Sequence, residues 1–347
     1  MWYTILTDAK TKRRRLAGAD AMLSDLHRSM EALRGVNRKS LAWLLEQYHA
    51  SRDFKDLAES TQKAYEVQRQ VALKQPTKLD PLFGELDHAR LETVHFQRLV
   101  AGLANAGTPT KANQVMRHLK LVYSWGLRQG HCKSNPVKGV KAAKESKLRR
   151  LPDPEVMKRL LELAAAGGQL MPHSLGGASP YLWAGGDIAY LCRLRGIEVI
   201  TLTDESAGPA GLRTNRRKGS RDNIVAWTPR LRAAWDCLIE QRKEIWEAKS
   251  IPIPMKAKSR PLVVGEDGAA LGKSSLDSAW QRLIHRAIEN KVITAEERFG
   301  LHDLKRKGIT DTDGTRADKQ EASGHKSAAM MDVYDLSVPI VQPSVKG

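Results

Sequence analysis

The chain has 347 residues, 57 Lys+Arg against 39 Asp+Glu, a formal net charge of +18 and 41% hydrophobic residues. That length suits about two domains, and the composition excludes a disordered tail or, lacking about 18 consecutive apolar residues, a membrane span. So large an excess of cations suits an acidic partner, of which nucleic acid is the commonest, or a basic but inert protein, and charge alone does not decide between them.

The opening run Met1-Trp2-Tyr3-Thr4-Ile5-Leu6 meets Asp8 and Lys10 too early for a signal peptide. A basic cluster follows (Lys10, Lys12, Arg13, Arg14, Arg15), then a short amphipathic helix with Leu23, Leu26, Met30 and Leu33 on one side and Gly35 as its stop. Residues 1–37 are expected to form a basic extension. From 38 to 137 the pattern is helical throughout. Leu41, Leu44, Leu45 and Tyr48 make one apolar stripe, Thr61 to Leu73 a second and Leu91 to Leu103 a third. Ala112, Val115, Met116, Leu119 and Tyr123 make the fourth and clearest, with Thr108 as N-cap, Gly130 as stop, and Arg117 and Lys120 off the stripe. Four or so such helices predict an all-helical domain. Residues 138–152 carry Lys138, Lys141, Lys144, Lys147, Arg149 and Arg150 among small residues, and read as a basic linker or as a solvated helix surface.

A second domain is expected over 153–334. Val156, Leu160, Leu161 and Leu163 form a helix, and a glycine-rich loop runs from Gly167 to Gly186. A long apolar helix is expected from about Asp187 to Thr203. The turn Lys218-Gly219-Ser220 separates candidate strands ending in Ile224-Val225-Ala226-Trp227, and helices recur over Leu231–Lys249 and Leu276–Asn290. This half is mostly helical with a small antiparallel sheet, which makes the whole chain mainly α. Residues 335–347 read as a tail. The cysteines Cys132, Cys192 and Cys237 are scattered without zinc spacing and suit a reducing cytoplasm. Gly268-Ala-Ala-Leu-Gly272-Lys273-Ser274 is one residue too short for a phosphate-cradling loop. Asp311-Thr312-Asp313-Gly314 lacks the other ligands of a calcium loop.

Three segments hold candidate chemistry. Arg195 sits within the apolar face of its predicted helix (Ile188, Leu191, Cys192, Val199), where a charge needs a partner. Glu198 is one candidate and a bound phosphate the other, because guanidinium grips phosphate oxygens in pairs. His302-Asp303-Leu304-Lys305-Arg306 opens a helix after Phe299-Gly300, so that His302, Lys305 and Arg306 can share a face. Gly324-His325 precedes Tyr334 across a small-residue helix containing Ser327, Ala328 and Ala329. A tyrosine nucleophile needs a cation-rich, water-poor setting, since a free phenol titrates near ~10.

Taken in order, these segments resemble the tyrosine recombinase (phage integrase) family over about residues 38–340. Tyr190-Leu-Cys-Arg-Leu-Arg195-Gly-Ile-Glu198-Val resembles the family's first-arginine box, and Lys218-Gly219-Ser220-Arg221 its lysine hairpin. His302-Asp-Leu-Lys305 resembles the His-x-x-Arg box, and Gly324-His325 with Tyr334 the last box and nucleophile. Ser134-Asn135-Pro136-Val137 resembles the end of the core-binding domain. The resemblance implies the DNA breaking-rejoining fold: an all-helical core-binding domain, a basic linker and a catalytic domain that together clamp DNA. It implies a site-specific recombinase in which Tyr334 attacks a phosphodiester to give a 3′-phosphotyrosyl link, with Arg195 and Lys305 (or Arg306) on the phosphate. Lys218 would be the general acid, His302 and His325 would bond the phosphate, Glu198 would support, and neither metal nor ATP would be needed. Arg117, Lys120, Lys141, Lys144 and Lys147 are the implied DNA contacts. A tetramer on double-stranded DNA, a tail docked on a neighbour through Val338, Ile340 and Val341, accessory DNA-bending proteins, a nucleoid-associated cytoplasmic location and a phage or mobile element also follow. Two positions depart from the family: Lys305 stands for its second arginine, and Cys192-Arg193 for the usual Thr-Gly. They motivate an alternative, a DNA-binding protein of the same fold with impaired catalysis. A type IB topoisomerase would share the chemistry but not the first domain.

Overall fold

The computed structural model describes residues 2–5, 13–18, 20, 22, 37–77, 81–145, 150–170, 174–217 and 219–337. The amphipathic helix expected around Leu23–Leu33, and Lys10, Lys12, Lys147, Lys218 and the tail residues Val338, Ile340 and Val341, lie outside them. Contacts divide the chain into two units, Met1–Lys147 and Leu148–Gly347.

The first unit begins with an antiparallel pair, β1 (Trp2–Ile5) and β2 (Arg13–Ala17), the latter holding Arg13, Arg14 and Arg15 of the basic cluster. Helices follow: α1 (Leu41–Ala50), α2 (Arg52–Lys55), α3 (Glu59–Leu73), α4 (Thr93–Asn105) and α5 (Pro109–Arg128). The Ser40 hydroxyl accepts from the Trp43 N–H at 3.1 Å and starts α1, whose Leu41, Leu44, Leu45 and Tyr48 are buried. Pro109 at the first turn and Gly130 beyond the last bound α5. It buries Val115, Leu119, Val122 and Tyr123, each such side chain contributing roughly 1.5–3 kcal/mol. The segment 141–145 is laid along this unit: Gln97 bonds both backbone groups of Lys141, and Asn113 those of Ala143.

In the second unit Asp153 caps α6 (Pro154–Gly168). The central helix is α7 (Tyr181–Leu191), packed against α6, α9 (Pro229–Ala248) and α11 (Leu301–Thr310). Gly185 and Gly186 belong to α7, so the glycine-rich loop is shorter than expected. The long helix expected over Asp187–Thr203 is broken. Arg193 has φ 53, and the Leu194 N–H bonds back to the Ala189 carbonyl at 2.9 Å, closing α7 with a Schellman turn before α8 (Gly196–Val199) begins. Arg195 is therefore the residue before α8, not one within a helix. A three-stranded antiparallel sheet is formed by β3 (Ala207–Gly208), β4 (Gly211–Arg213) and β5 (Ile224–Ala226), with residues 214–217 and 219–223 in the loop between β4 and β5. After α10 (Lys273–Glu289) and α11 come α12 (Arg316–Ser323) and α13 (Met331–Tyr334).

Candidate active site

Five of the six residues expected to act in catalysis meet in the second unit. Two close approaches bring them there. A Cβ at Gly308 would lie 2.1 Å from the Tyr190 carbonyl oxygen, so glycine lets α11 press against the end of α7 where the Arg195 loop starts. Gly324 ends α12 with φ 71, and its carbonyl accepts from the Arg221 N–H at 2.8 Å. That bond joins the β4–β5 loop to the turn carrying His325.

Glu198 lies at the centre, fully buried. It accepts from the Arg195 backbone N–H and from Nη1, both at 2.7 Å, and from the Arg217 N–H at 2.9 Å. Lys305 Nζ stands 3.6 Å from Oε2, the oxygen that takes the Arg195 backbone N–H, within ion-pair reach but beyond a hydrogen bond. Burial pushes the Glu198 pKa up, yet Lys305, these two N–H groups and the Arg195 charge outweigh it and hold the carboxyl below its ordinary value. The carboxylate thus gathers the cations that would otherwise repel one another.

Arg195 reaches past Glu198 to Tyr334, its Nη2 lying 3.4 Å from the phenol oxygen. The Tyr334 ring is buried, with the His325 ring centroid 4.5 Å away, that of His302 at 5.6 Å, and Lys305 Nζ 5.9 Å from the ring centroid. His325 shares a 2.8 Å hydrogen bond between Nδ1 and the Ser323 hydroxyl, which leaves Nε2 without a partner among the described residues. Burial, then Lys305 and Arg195, lower its pKa to about 4, so the ring is neutral at physiological pH. His302 has open surface, yet crowding around the ring and the charges of Arg306 and Arg195 also lower its pKa. Lys305 is fully buried, and Nζ too finds no hydrogen-bond partner among the described residues. Burying an ammonium and an imidazole nitrogen without hydrogen bonds is costly. An anion with several oxygens placed beside Tyr334 would supply the missing partners.

Lys305 and Arg306 do not share the site. One residue turns a helix by about 100°, and Arg306 points instead at Asp303 and the Arg150 carbonyl, the latter at 3.2 Å. Of the two residues offered for the second-arginine place, Lys305 is the one beside Tyr334, while Arg306 stays near enough to His302 for its charge to lower that ring's pKa.

Arg216 has no distinguishing mark in a run that also holds Arg213, Arg217 and Arg221. Its guanidinium bonds the carbonyls of Arg193 (2.9 Å), Cys192 (3.1 Å) and Ala322 (2.9 Å), pinning the α7–α8 break, the β4–β5 loop and the end of α12 together. Burial lowers its pKa to about 10, so it remains a cation behind the site. Ser323 was equally unmarked, although a hydroxyl two residues before a histidine is a usable hint. In the first unit, Arg117 and Lys120 project from α5 into solvent, opposite its buried stripe, and Lys141 and Lys144 are exposed on the segment after it.

Among solved structures, the chain is similar to the Tn1549 transposon integrase (aa 82–397) in complex with circular intermediate DNA. Identity is 13% and the TM-score 0.66, over 86% of this chain and 96% of that one. A lambda integrase (75–356) dimer bound to a COC′ core site is similar at 16% identity and TM-score 0.63, over 88% and 100% of the two chains. A lambda integrase tetramer bound to a Holliday junction gives 14% and 0.62, over 93% and 89%. No protein-family model and no curated protein matches the sequence. At these identities the likeness is one of fold. The chain has the fold of these integrases, mainly helical with a small antiparallel sheet.

Proposed function

We propose that the chain is a site-specific DNA recombinase of the tyrosine type, acting in integration or excision of a phage or mobile element. The observation that carries this reading is the convergence on one buried phenol, Tyr334, of Arg195, His302, His325 and Lys305, two of them with polar atoms that lack a hydrogen bond among the described residues. Such a cluster is built to receive a phosphate: fixed donors aimed at an oxyanion stabilise the charge that develops during transfer.

In this reading the Tyr334 oxygen attacks the scissile phosphorus, forming a 3′-phosphotyrosyl bond and breaking the bond to the 5′-oxygen. Arg195 and Lys305 hold the non-bridging oxygens, and neutral His325 and His302 bond the phosphate and help take the phenol proton. Lys218, the next residue in sequence after Arg217, protonates the departing 5′-oxygen. The new ester keeps the energy of the old one, so attack by a partner strand's 5′-hydroxyl reverses the step without ATP or a metal. The exposed cations Arg117, Lys120, Lys141 and Lys144, together with Lys147, contact DNA phosphates and set register rather than sequence. The solved neighbours include DNA complexes and a tetramer on a Holliday junction. We extend both properties to this chain, with the tail contacting a neighbouring copy and DNA-bending proteins assisting at the site.

The test is an SDS-resistant protein–DNA adduct formed in EDTA on DNA flanking the gene, with wild type and Tyr334→Phe compared. An adduct from wild type alone is expected, and sequencing its DNA locates the crossover. Tight, salt-sensitive binding with no adduct would overturn strand cleavage in favour of a DNA-binding protein of the same fold, the reading that the lysine at 305 favours.

A further inference from the structure

The chain just past Tyr334 is held more firmly than the end of a four-residue helix requires. Lys319, on α12, is buried, with 9% of its side chain exposed, and the chemistry above does not use it. Its ammonium has three hydrogens and finds three acceptors: the Thr310 carbonyl at 2.9 Å, Asp335 Oδ1 at 3.1 Å and Ser337 Oγ at 3.0 Å. Asp335 Oδ1 also accepts from the Ser337 backbone N–H at 3.1 Å and from its hydroxyl at 2.7 Å. Thr310 supplies a second hold, its hydroxyl donating to the Tyr334 carbonyl at 3.4 Å and accepting from the Leu336 N–H at 3.1 Å. Thr310 is the last residue of α11, the helix that carries His302 and Lys305.

A buried ammonium is tolerated when each of its protons is bonded, and charge-assisted bonds of this kind are about twice as strong as neutral ones. One helical turn has little stability of its own. The place of Tyr334 therefore depends on these outside anchors, and a misplacement of about 1 Å at a reacting atom costs a rate on the order of 100-fold. We propose that Lys319 is a positioning residue, a latch that fixes residues 335–337 to the end of α11 and so keeps the Tyr334 hydroxyl at Arg195. The latch also lies on the covalent path from Tyr334 to residues 338–347, so a pull on that segment meets Lys319 before it reaches the phenol. The proposal rests on the reading of Tyr334 as the nucleophile.

Lys319→Met keeps the aliphatic stem and removes the donors, and Lys319→Arg keeps charge and donors. On the full chain, three quantities are read: amide hydrogen exchange over residues 334–337, the single-turnover rate of adduct formation at saturating DNA, and the Kd for DNA. Lys319→Met is expected to lose protection in that segment and to form adduct roughly 10- to 100-fold more slowly, with Kd changed by less than about twofold. Lys319→Arg should recover part of both losses, and adding Asp335→Asn to Lys319→Met should cost little more, because both act through one latch. Unchanged exchange, or an unchanged rate, overturns the proposal. So does a rate loss matched by weaker DNA binding, or protection lost across the whole second unit, since either marks a merely structural lysine. If wild type forms no adduct while exchange in the segment rises in Lys319→Met, the nucleophile reading falls and the latch stands. If neither is seen, both fall.

Discussion

Lys305 faces Glu198, Arg195 and Tyr334, with Arg216 and His325 close by, and its environment decides what a lysine can do there. Burial first, then Arg195 and Arg216, pull its pKa down to about 7 against the upward pull of Glu198. Only the protonated amine can hold a phosphate oxygen, and that form disappears as pH rises through the pKa. A bound phosphate moves the midpoint up without removing it. An arginine at 305 keeps its proton throughout. Lys305→Arg is thus expected to cleave at least as well as wild type near neutrality, and to gain on it about tenfold per pH unit beyond the wild-type midpoint. Single-turnover adduct formation between pH 6 and 9 measures this, and parallel profiles would show that Lys305 does not touch the phosphate. The pairing of Arg195 with Glu198 was visible in the sequence as a three-residue spacing. The choice between Lys305 and Arg306 was not, since neighbouring residues carry the same charge and only the packing of α11 aims one inward.

At the level of elements, α7, α8 and α11 form the frame of the site. Apolar residues recur across Ile188, Leu191, Cys192 and Val199 as though one helix continued. Arg193 in the left-handed region breaks it, held by the bonds Arg216 makes to the Cys192 and Arg193 carbonyls. Periodicity records burial, and both sides of the break are buried, so no pattern marked it. Gly308 sits where α11 comes close to the end of α7. Gly308→Ala drives a methyl group into the Tyr190 carbonyl and must push the helices apart. It is expected to cost about 1–3 kcal/mol, as overpacking does, and to slow adduct formation more than it weakens DNA binding, because His302 and Lys305 move with α11. Urea unfolding beside the adduct assay tests this, and wild-type stability would mean that the two helices have slack.

Over the whole molecule, each unit has its own large core, with a small third cluster of Ile309, Met331 and Tyr334 in the second, and each unit carries its own prediction. In the first, His118 is fully buried, with its Nε2 3.2 Å from Nε2 of His49, whose Nδ1 lies 3.2 Å from Glu66. Burial lowers the pKa of His118 to about 3 and of His49 to about 4. Both values fall below the ~6.5 of an unfolded histidine, so between pH 6.5 and 4 the unfolded chain binds more protons. The stability these neutral rings allow is present above pH 6.5 and lost as pH falls toward 4. Melting of the first unit is expected to drop steeply over that window, and His118→Phe to flatten the drop; an equal slope in the variant would place the acid sensitivity elsewhere. A net charge of +18 with exposed cations on α5 and the following segment predicts DNA affinity that falls with salt, the log–log slope being about −0.9 per phosphate neutralised. Each of Arg117→Ala and Lys120→Ala should reduce that slope by about one. A wild-type slope near zero would exclude phosphate-led binding.

The sequence by itself determined the helical class, the four apolar stripes of the first unit, the small sheet, and the types and order of the residues that meet at Tyr334. These are local properties: helical spacing, turn glycines and short motifs act over a few residues. Tertiary structure alone decided which cations face the phenol, because that depends on where α11 rests on α7. It also decided the structural arginine at 216, the break after α7, and the Lys319 latch. In each case the partners lie far apart in the chain and are joined only by packing, and a charged residue's place among them leaves no periodic trace.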